Sequence, residues 1–226
     1  MAVTFAEHPA AASATEVEDL RLGIVGAGKF GTTVARAAVA AGYDVAISGS
    51  GPADEIGLTI EVLAPGARAA TTAEVVRHAH VIVLAVPTHR FRELARDLFA
   101  DKILIDAMNY WQPVDGDDPE LTTASNGTST VVQERFHDAR VVKSLNQLGY
   151  HQLEENRRTK GAPDRIALGA AGDDPEAVTR VMRLIDRLGF DPVDAGQLTN
   201  GVALEPDGSP VAITYTAQQL SKLVSR

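Results

Sequence analysis

Several residue types that would support other chemistries are absent or scarce in this sequence of 226 residues. It has no cysteine, which excludes disulfides, thiolate catalysis and cysteine-ligated metal centres. No stretch approaches the roughly 18 apolar residues of a membrane-spanning helix. Basic residues number 21 against 30 acidic ones, for a formal net charge of -9. Because an acidic surface repels phosphate backbones and anionic lipid, we expect no nucleic-acid partner and no membrane partner.

The first 19 residues differ in composition from the rest. They contain four acidic residues, no lysine or arginine, and no continuous apolar stretch. A secretory signal needs both a basic start and an apolar core, and this segment has neither. We therefore expect residues 1–19 to form a disordered tail and the protein to be cytoplasmic.

From residue 20 onward, short apolar runs alternate with segments of helical periodicity. The predicted strands cover 22–25, 43–47, 80–86, 102–106 and 139–143, and two added strands cover 165–170 and 190–193. This alternation is typical of an α/β fold with a Rossmann-type doubly wound parallel sheet. We expect a dinucleotide-binding domain at 20–146 and a small C-terminal extension at 147–226 that completes a second-ligand pocket.

Local signals place helices between these strands. Thr71 and Glu74 have the spacing of a capping box, and Asp174 and Gly189 are suited to the start and end of another helix. An amphipathic stretch covers 217–224. The apolar spacing predicts one further helix that carries Phe91, Leu94 and Leu98.

The most specific chemical signal is the segment GIVGAGKFG at 23–31. It follows a predicted strand and opens a predicted helix, which is the context in which a G-x-G-x-x-G pattern binds a dinucleotide. Gly26 permits the tight turn, Gly28 lets the backbone approach a pyrophosphate, and Gly31 allows close packing of helix on strand. The helix start then holds the phosphates. A glycine-rich turn that binds nothing is the disfavoured alternative.

The residues after the second predicted strand favour NADP over NAD. NAD-selective sites usually have an acid about 20 residues past the glycine pattern, where it bonds the ribose 2′-hydroxyl. Here residues 48–52 read SGSGP, and the first acid is Asp54. A carboxylate would repel a 2′-phosphate, whereas hydroxyls and backbone N–H groups can receive it. NAD stays possible, because the arginine that commonly clamps the phosphate is missing and only Lys29 or Arg68 could replace it.

Four further segments, taken with the glycine pattern, resemble one known family. They are VLAVPTH at 83–89, IDAMNYW at 105–111, RVVKSLN at 140–146 and LGFDPVDAG at 188–196. In this order, and over most of residues 20–200, the sequence resembles the NADPH-dependent F420 reductase family, NADP oxidoreductases that use the deazaflavin coenzyme F420.

The resemblance implies an oxidoreductase, often a homodimer, that passes hydride between NADPH and a second cofactor, F420 or a flavin, as its small-molecule redox partner. Pyrophosphate contacts carried over from the family fall on Gly26, Ala27, Gly28, Lys29, Phe30 and Gly31. Contacts to the adenosine ribose and its 2′-phosphate fall on Ser48, Gly49 and Ser50. Nicotinamide contacts fall on Ala85, Val86, Pro87, Ala107 and Ser144.

This sequence departs from the family pattern at two places. The family commonly has Ser-Arg after the second strand, and the arginine is absent here. It also tends to read Lys-Ala-Phe-Asn where this chain reads KSLN at 143–146. The second departure is expected to reshape the floor of the second-ligand pocket.

Two other polar residues follow predicted strands at the mouth of the expected site. A protonated His89 would guide an acidic ligand, although a solvent-facing histidine is the more common case. Asn109 would orient an amide while Tyr110 and Trp111 stack on a ring, or all three would pack the loop. We assign no catalytic residue and no metal, because hydride transfer between stacked planar rings needs neither.

Three basic residues lie close together between the predicted strands at 139–143 and 165–170. Arg157, Arg158 and Lys160 would attract an anionic cofactor tail, unless they form a solvated loop.

One alternative function is a reductase of a small imine or hydroxy acid, which would need a helical second domain of about 100 residues. About 30 residues follow Asp194, which favours a flat cofactor instead. The other alternative is a non-catalytic NADP-binding sensor.

Overall fold

The first part of the fold alternates strands and helices. The computed structural model describes residues 20–206 and 213–225, so the predicted tail at 1–19 lies outside the described residues. The elements are β1 (Arg21–Val25), α1 (Lys29–Ala40), β2 (Asp44–Ser48), α2 (Ala53–Leu63), β3 (Arg68–Ala69), α3 (Thr72–His78), β4 (Val81–Leu84) and β5 (Ile103–Asp106). Two 3₁₀ helices, Thr88–Glu93 and Arg96–Phe99, connect β4 to β5.

The remaining elements extend the same architecture. They are α4 (Gln112–Asp115), α5 (Pro119–Thr122), α6 (Thr128–Arg135), β6 (Arg140–Ser144), α7 (Tyr150–Glu155), β7 (Ala167–Gly172), α8 (Pro175–Leu188), β8 (Asp191–Gly196), a 3₁₀ helix (Leu198–Leu204) and α9 (Ala217–Val224). None of the helices in the described ranges has the length and apolarity to cross a bilayer.

The eight strands form one sheet in the order β3-β2-β1-β4-β5-β6-β7-β8. The first six are parallel, which confirms the Rossmann-type prediction. β7 runs antiparallel to β6, and β8 runs parallel to β7. The two added strands thus run in the opposite direction to the other six. Their connection from β6 contains only the short α7, which packs on α1 instead of crossing the sheet, so β7 returns antiparallel beside β6.

Apolar side chains cover both faces of the sheet. All four residues of β4 are buried, as expected for a central parallel strand. One core joins α1 and α8 to one face and includes Ile24, Val142 and Leu168. The opposite core includes Ile82 and lies under α3 and α6. Residues after 147 thus pack on the same core as the residues before them.

The predicted helix at Phe91–Leu98 is wrong, because two 3₁₀ helices occupy that region. Leu94 and Ala95 between them have extended backbone. The carbonyls of Arg92 and Leu94 accept hydrogen bonds from Arg135 at 2.9 Å instead of from helical N–H groups. A tertiary contact has replaced the local helix here.

The other helix signals are confirmed. Thr71 and Glu74 form a reciprocal capping box, and the Asp174 side chain accepts from the Ala177 N–H at 2.7 Å. Gly189 ends α8 in the left-handed conformation at φ 101°.

Buried Arg165 joins the end of α8 to β8. Its Nη1 donates to Asp186 Oδ1 at 2.9 Å and to Asp191 Oδ1 at 2.8 Å. Lys160 Nζ also donates to Asp186, at 3.0 Å. Burial alone would raise the pKa of the Asp186 carboxyl, but the hydrogen bonds from Lys160 and Arg165 outweigh it and hold the pKa below its usual range.

We expect Asp186→Asn to lower the free energy of unfolding at neutral pH. In this variant the free energy of unfolding should also decrease less steeply as the pH falls. A folded-state pKa below the unfolded value stabilises the fold above about pH 4, and this stabilisation disappears as pH falls through the folded pKa. Denaturant unfolding across this pH range measures it. Asp97→Asn, at an exposed position, is the control and should keep the wild-type profile. Parallel pH profiles for wild type and Asp186→Asn would contradict the assignment.

Candidate functional site

The turn between β1 and α1 leaves no room for side chains at two of its glycines. Gly26 has φ +121°, and a Cβ there would collide with the backbone carbonyl of Ala85. A Cβ on Gly31 would collide with the carbonyl oxygen of Gly26. The fold itself therefore demands glycine at both positions.

Gly28 differs from these two, because the fold does not require it. A Cβ on Gly28 would have no heavy atom within 4 Å, and its φ of -77° suits any residue. The residue is exposed and forms the N-cap of the 12-residue α1, with no side-chain cap and no acid in the first turn. Open space in front of an uncapped helix N-terminus is the arrangement that receives a phosphate.

Three residues at the end of β2 and in the loop after it are predicted to bind the 2′-phosphate region, and one of them has an accessible side chain. Ser48 is fully buried, and its Oγ lies 3.2 Å from Thr72 Oγ1, so its hydroxyl is not available to a ligand. Gly49 is half-buried and Ser50 is exposed. Lys29 is one of the two residues that could replace the missing arginine, and its Nζ lies 3.5 Å from the Tyr150 hydroxyl.

A cleft of about 790 Å³ opens at the carboxyl ends of β4, β5 and β6. It begins beside α1, since Phe30 lines it, and continues under the loops that follow the three strands. The predicted site residues that line this cleft are Phe30, Ala85, Val86, Pro87, Ala107 and Asn109. In open parallel sheets this edge, near the change of strand order, is the usual ligand crevice.

Two of the residues predicted on the nicotinamide side or at the mouth of the site, Ser144 and His89, do not line the cleft. Ser144 is fully buried at the end of β6, and its Oγ donates to the Gly169 carbonyl at 2.7 Å, so its side chain is occupied by β7. His89 Nδ1 lies 3.1 Å from Asp115 Oδ1. Asp115 also accepts the Trp111 N–H at 2.9 Å. His89 therefore contacts an acid that shapes the turn under Trp111, and its role as a guide for acidic ligands stays a prediction.

The C-terminal part contributes one wall of the cleft, and sequence reasoning expected this extension to complete a pocket but named none of the residues in the wall. The wall contains Val202, Ala203, Leu204, Glu205, Pro206, Ile213, Tyr215 and Leu223. Tyr215 is placed by a bridge to β7, in which the Ala167 N–H donates to its carbonyl at 2.7 Å. The amphipathic stretch at 217–224 was the available signal, since it predicts a helix with one face to bury.

An asparagine pair forms the floor near β6. Asn109 Nδ2 donates to the Asn146 carbonyl at 2.7 Å, and Asn146 Nδ2 donates to Asn109 Oδ1 at 3.0 Å and to the Leu204 carbonyl at 2.8 Å. The preceding Leu145 has φ +65°, an unusual conformation for leucine. Asn146 Oδ1 is buried and has no hydrogen-bond partner among the residues that the structure describes.

A buried ion pair lies below this floor. Lys143 Nζ is 3.2 Å from Asp106 Oδ2 and donates to the Met108 carbonyl at 2.6 Å, and both charged side chains are at most 1% exposed. Ser129 Oγ donates to Asp106 Oδ2 at 2.5 Å. Such a pair tolerates burial because its polar atoms are hydrogen-bonded.

Glu205 joins this network to the cleft wall. Its Oε1 accepts from the backbone N–H and from the Oγ1 of Thr128, each at 2.7 Å, and lies 3.9 Å from Lys143 Nζ. The Glu205 side chain is 18% exposed and lines the cleft. One lysine thus faces two carboxylates, those of Asp106 and Glu205, which leaves the group with one excess negative charge.

The predicted basic cluster does not line the cleft. Arg157 Nε donates to the Leu188 carbonyl at 2.9 Å, and burial lowers the pKa of its guanidinium. Arg158 Nε lies 2.6 Å from Asp164, and Lys160 is paired with Asp186. Arg157 Nη2 also donates to the Ala37 carbonyl at 3.2 Å, so the three cations bond to groups of the protein itself and lie outside the cleft lining.

We expect Gly28→Ala and Gly31→Ala to fail in different ways. Gly28→Ala should fold with wild-type stability and bind NADPH about tenfold or more weakly, since hydrogen bonds to a charged group contribute roughly 1.5–3 kcal/mol each. Gly31→Ala should lose about 1–3 kcal/mol of stability through overpacking. Calorimetric titration and denaturant unfolding measure the two effects. Unchanged NADPH affinity in Gly28→Ala would contradict a pyrophosphate site at this turn.

We expect NADPH to bind more tightly than NADH, and Ser50→Arg to widen the difference by about tenfold through a charge-assisted hydrogen bond to the 2′-phosphate. Fluorescence titration with both nucleotides measures it. Thr179→Arg, on the exposed face of α8, adds the same charge elsewhere and should leave the ratio unchanged. Equal gains for NADH and NADPH in Ser50→Arg would show that residue 50 does not face the 2′-phosphate.

Comparisons with known proteins agree with this geometry. The sequence model of the family described as "NADP oxidoreductase coenzyme F420-dependent" matches residues 21–110. The Escherichia coli K12 protein YjhV is 37% identical over 54 residues, which are 24% of this chain and 39% of YjhV. The match to this curated relative thus spans well under half of its length.

Two solved structures share the fold over most of their length. A protein from Arthrobacter sp. FB24, provisionally described as an F420-dependent NADP reductase, is 24% identical with a TM-score of 0.67, covering 81% of this chain and 87% of that one. The hypothetical protein SMa0349 of Sinorhizobium meliloti is 25% identical with a TM-score of 0.71, covering 87% and 95%.

The family match, the strand order and the glycine turn agree with the resemblance seen in the sequence. Residues 21–110 of this chain match the sequence model of the coenzyme F420-dependent NADP oxidoreductase family, and the strand order is that of a Rossmann-type fold.

Proposed function

We propose that this protein transfers a hydride between NADPH and a second flat redox cofactor, a deazaflavin such as F420 or a flavin. The observation that supports this most directly is the largely apolar cleft, which begins at α1 and lies over the carboxyl ends of β4 to β6. At about 790 Å³, it has the size of a site for a ligand larger than a small acid or imine.

The chain's own residues would bind and orient the two ligands. The N-terminus of α1 and the open space at Gly28 would hold the pyrophosphate. Ala85, Val86 and Pro87, which follow β4, would form an apolar surface beside the nicotinamide. NADPH supplies the hydride when bound, and the protein contributes alignment of the rings at about 3–3.5 Å and exclusion of water.

The polar side chains of the cleft are suited to holding ligands and less to acid–base chemistry. Asp115 is held by His89 and Trp111, and the Tyr110 hydroxyl donates to the Gly116 carbonyl at 2.8 Å. Asn109 and Asn146 bond each other. A site with this composition fits hydride transfer between two rings, because that reaction needs little from side chains.

Neither alternative function is favoured by a specific feature. A reductase of a small imine or hydroxy acid would take a substrate much smaller than this cleft. A non-catalytic sensor would use the same glycine turn, and it differs from the enzyme only in the absence of turnover.

We expect NADPH to be oxidised when F420 or a flavin is added, and not without an acceptor. An anaerobic assay of the loss of nicotinamide absorbance measures this. Trp111→Ala should raise the acceptor KM about two- to tenfold, the value of one aromatic stacking contact, with NADPH affinity unchanged. Leu98→Ala, at an exposed apolar residue outside the cleft, is the control. Tight NADPH binding without turnover of any acceptor would support the sensor instead.

A further inference from the structure

We propose that Glu205 selects the acceptor by charge, so that the cleft takes an uncharged flat heterocycle presenting an N–H donor and disfavours a ligand whose anionic group enters with it. This inference rests on the proposed function, because it concerns the second ligand of the same cleft.

The first support is the sign of the charges that line the cleft. Among the residues described at 20–206 and 213–225, those that line it include two carboxylates, Asp115 and Glu205, and no lysine, arginine or histidine. Residues 207–212, between the described ranges, read DGSPVA and add no lysine or arginine. A phosphate in this cleft would therefore meet carboxylates in a medium of low dielectric constant, where repulsion is strong.

The second support is the balance of charge around Glu205. The Asp115 side chain is 5% exposed, and its two oxygens are engaged by His89 and by the Trp111 N–H. The Glu205 side chain is 18% exposed, and its counter-charge is shared, because Lys143 Nζ lies 3.9 Å from Glu205 Oε1 but 3.2 Å from Asp106 Oδ2. Among the described residues that line the cleft, Glu205 therefore presents the more accessible negative charge to a ligand.

The third support is that the hydrogen-bonding groups left over are acceptors. Asn146 Oδ1 is buried without a partner in the described part of the chain. The hydrogen bonds of Glu205 to described residues all use Oε1, which leaves Oε2. A wall that offers acceptors matches a ring with an N–H group, such as the imide of a flavin or deazaflavin.

The rim of the cleft supports an uncharged ligand as well. Four large apolar residues there are 45–64% exposed: Trp111, Val114, Val202 and Ile213. An apolar rim favours the face of a ring and gives no compensation for the lost hydration of an anion.

The test compares riboflavin with FMN, which have the same isoalloxazine ring system and ribityl chain and differ by one phosphate. Trp111, the one tryptophan of the chain, lines the cleft, so quenching of its fluorescence reports binding of either compound to the NADPH complex. Wild type should bind riboflavin about tenfold more tightly than FMN. This ratio is expected for repulsion between the FMN phosphate and the Glu205 carboxylate, taken as unit charges about 10 Å apart at an effective dielectric constant of about 20.

Glu205→Gln keeps an oxygen that can accept from Thr128 and removes the charge, so it should reduce this preference to about twofold or less. Glu61→Gln, at an exposed residue of α2, removes one negative charge outside the cleft and should keep the wild-type ratio. If Glu205→Gln does not fold, raised salt applied to wild type should also narrow the preference, because salt screens the repulsion. Equal affinities in wild type, tighter FMN binding, or an unchanged ratio in folded Glu205→Gln would overturn the proposal.

The binding ratio is separable from the proposed function. If riboflavin binds preferentially but no acceptor oxidises NADPH, hydride transfer fails and the charge selection stands. If FMN and riboflavin are both reduced but bind equally, hydride transfer stands and the selection by Glu205 fails.

Discussion

A backbone collision determines where the ligand site of this protein can form. The carbonyl of Ala85, just past β4, lies so close to Gly26 that no side chain fits, and the carbonyl of Gly26 excludes one from Gly31. These contacts hold the start of α1 against the ends of β1 and β4. The helix N-terminus and the cleft consequently share a border at Phe30, which places the open start of α1 beside a largely apolar cleft.

Much of this half of the molecule can be predicted from the sequence, because its signals are local. A glycine at a forced turn, a capping box at Thr71 and an N-cap at Asp174 each depend on neighbours within a few residues. The predicted strands of the parallel sheet follow from continuous apolar runs that are buried on both faces. The family resemblance adds the coenzyme to this prediction.

The sequence does not reveal the features that distant residues decide. Whether Ser48 and Ser144 face a ligand depends on the strands beside them, and Thr72 and Gly169 occupy their hydroxyls. The helix expected near Phe91 gives way because Arg135, more than 40 residues along the chain, binds the carbonyls of Arg92 and Leu94. Local propensity contains none of this information.

The reversed direction of β7 has a consequence for how this fold diversifies. Because β7 starts beside the end of β6, the bridge from Ala167 to Tyr215 brings the last helix to the cleft. That helix packs in a small separate core around Leu220, apart from the large cores beneath the glycine turn. Under the proposed function, exchange of this terminal module between relatives would alter the preference for the acceptor while recognition of the nucleotide persists.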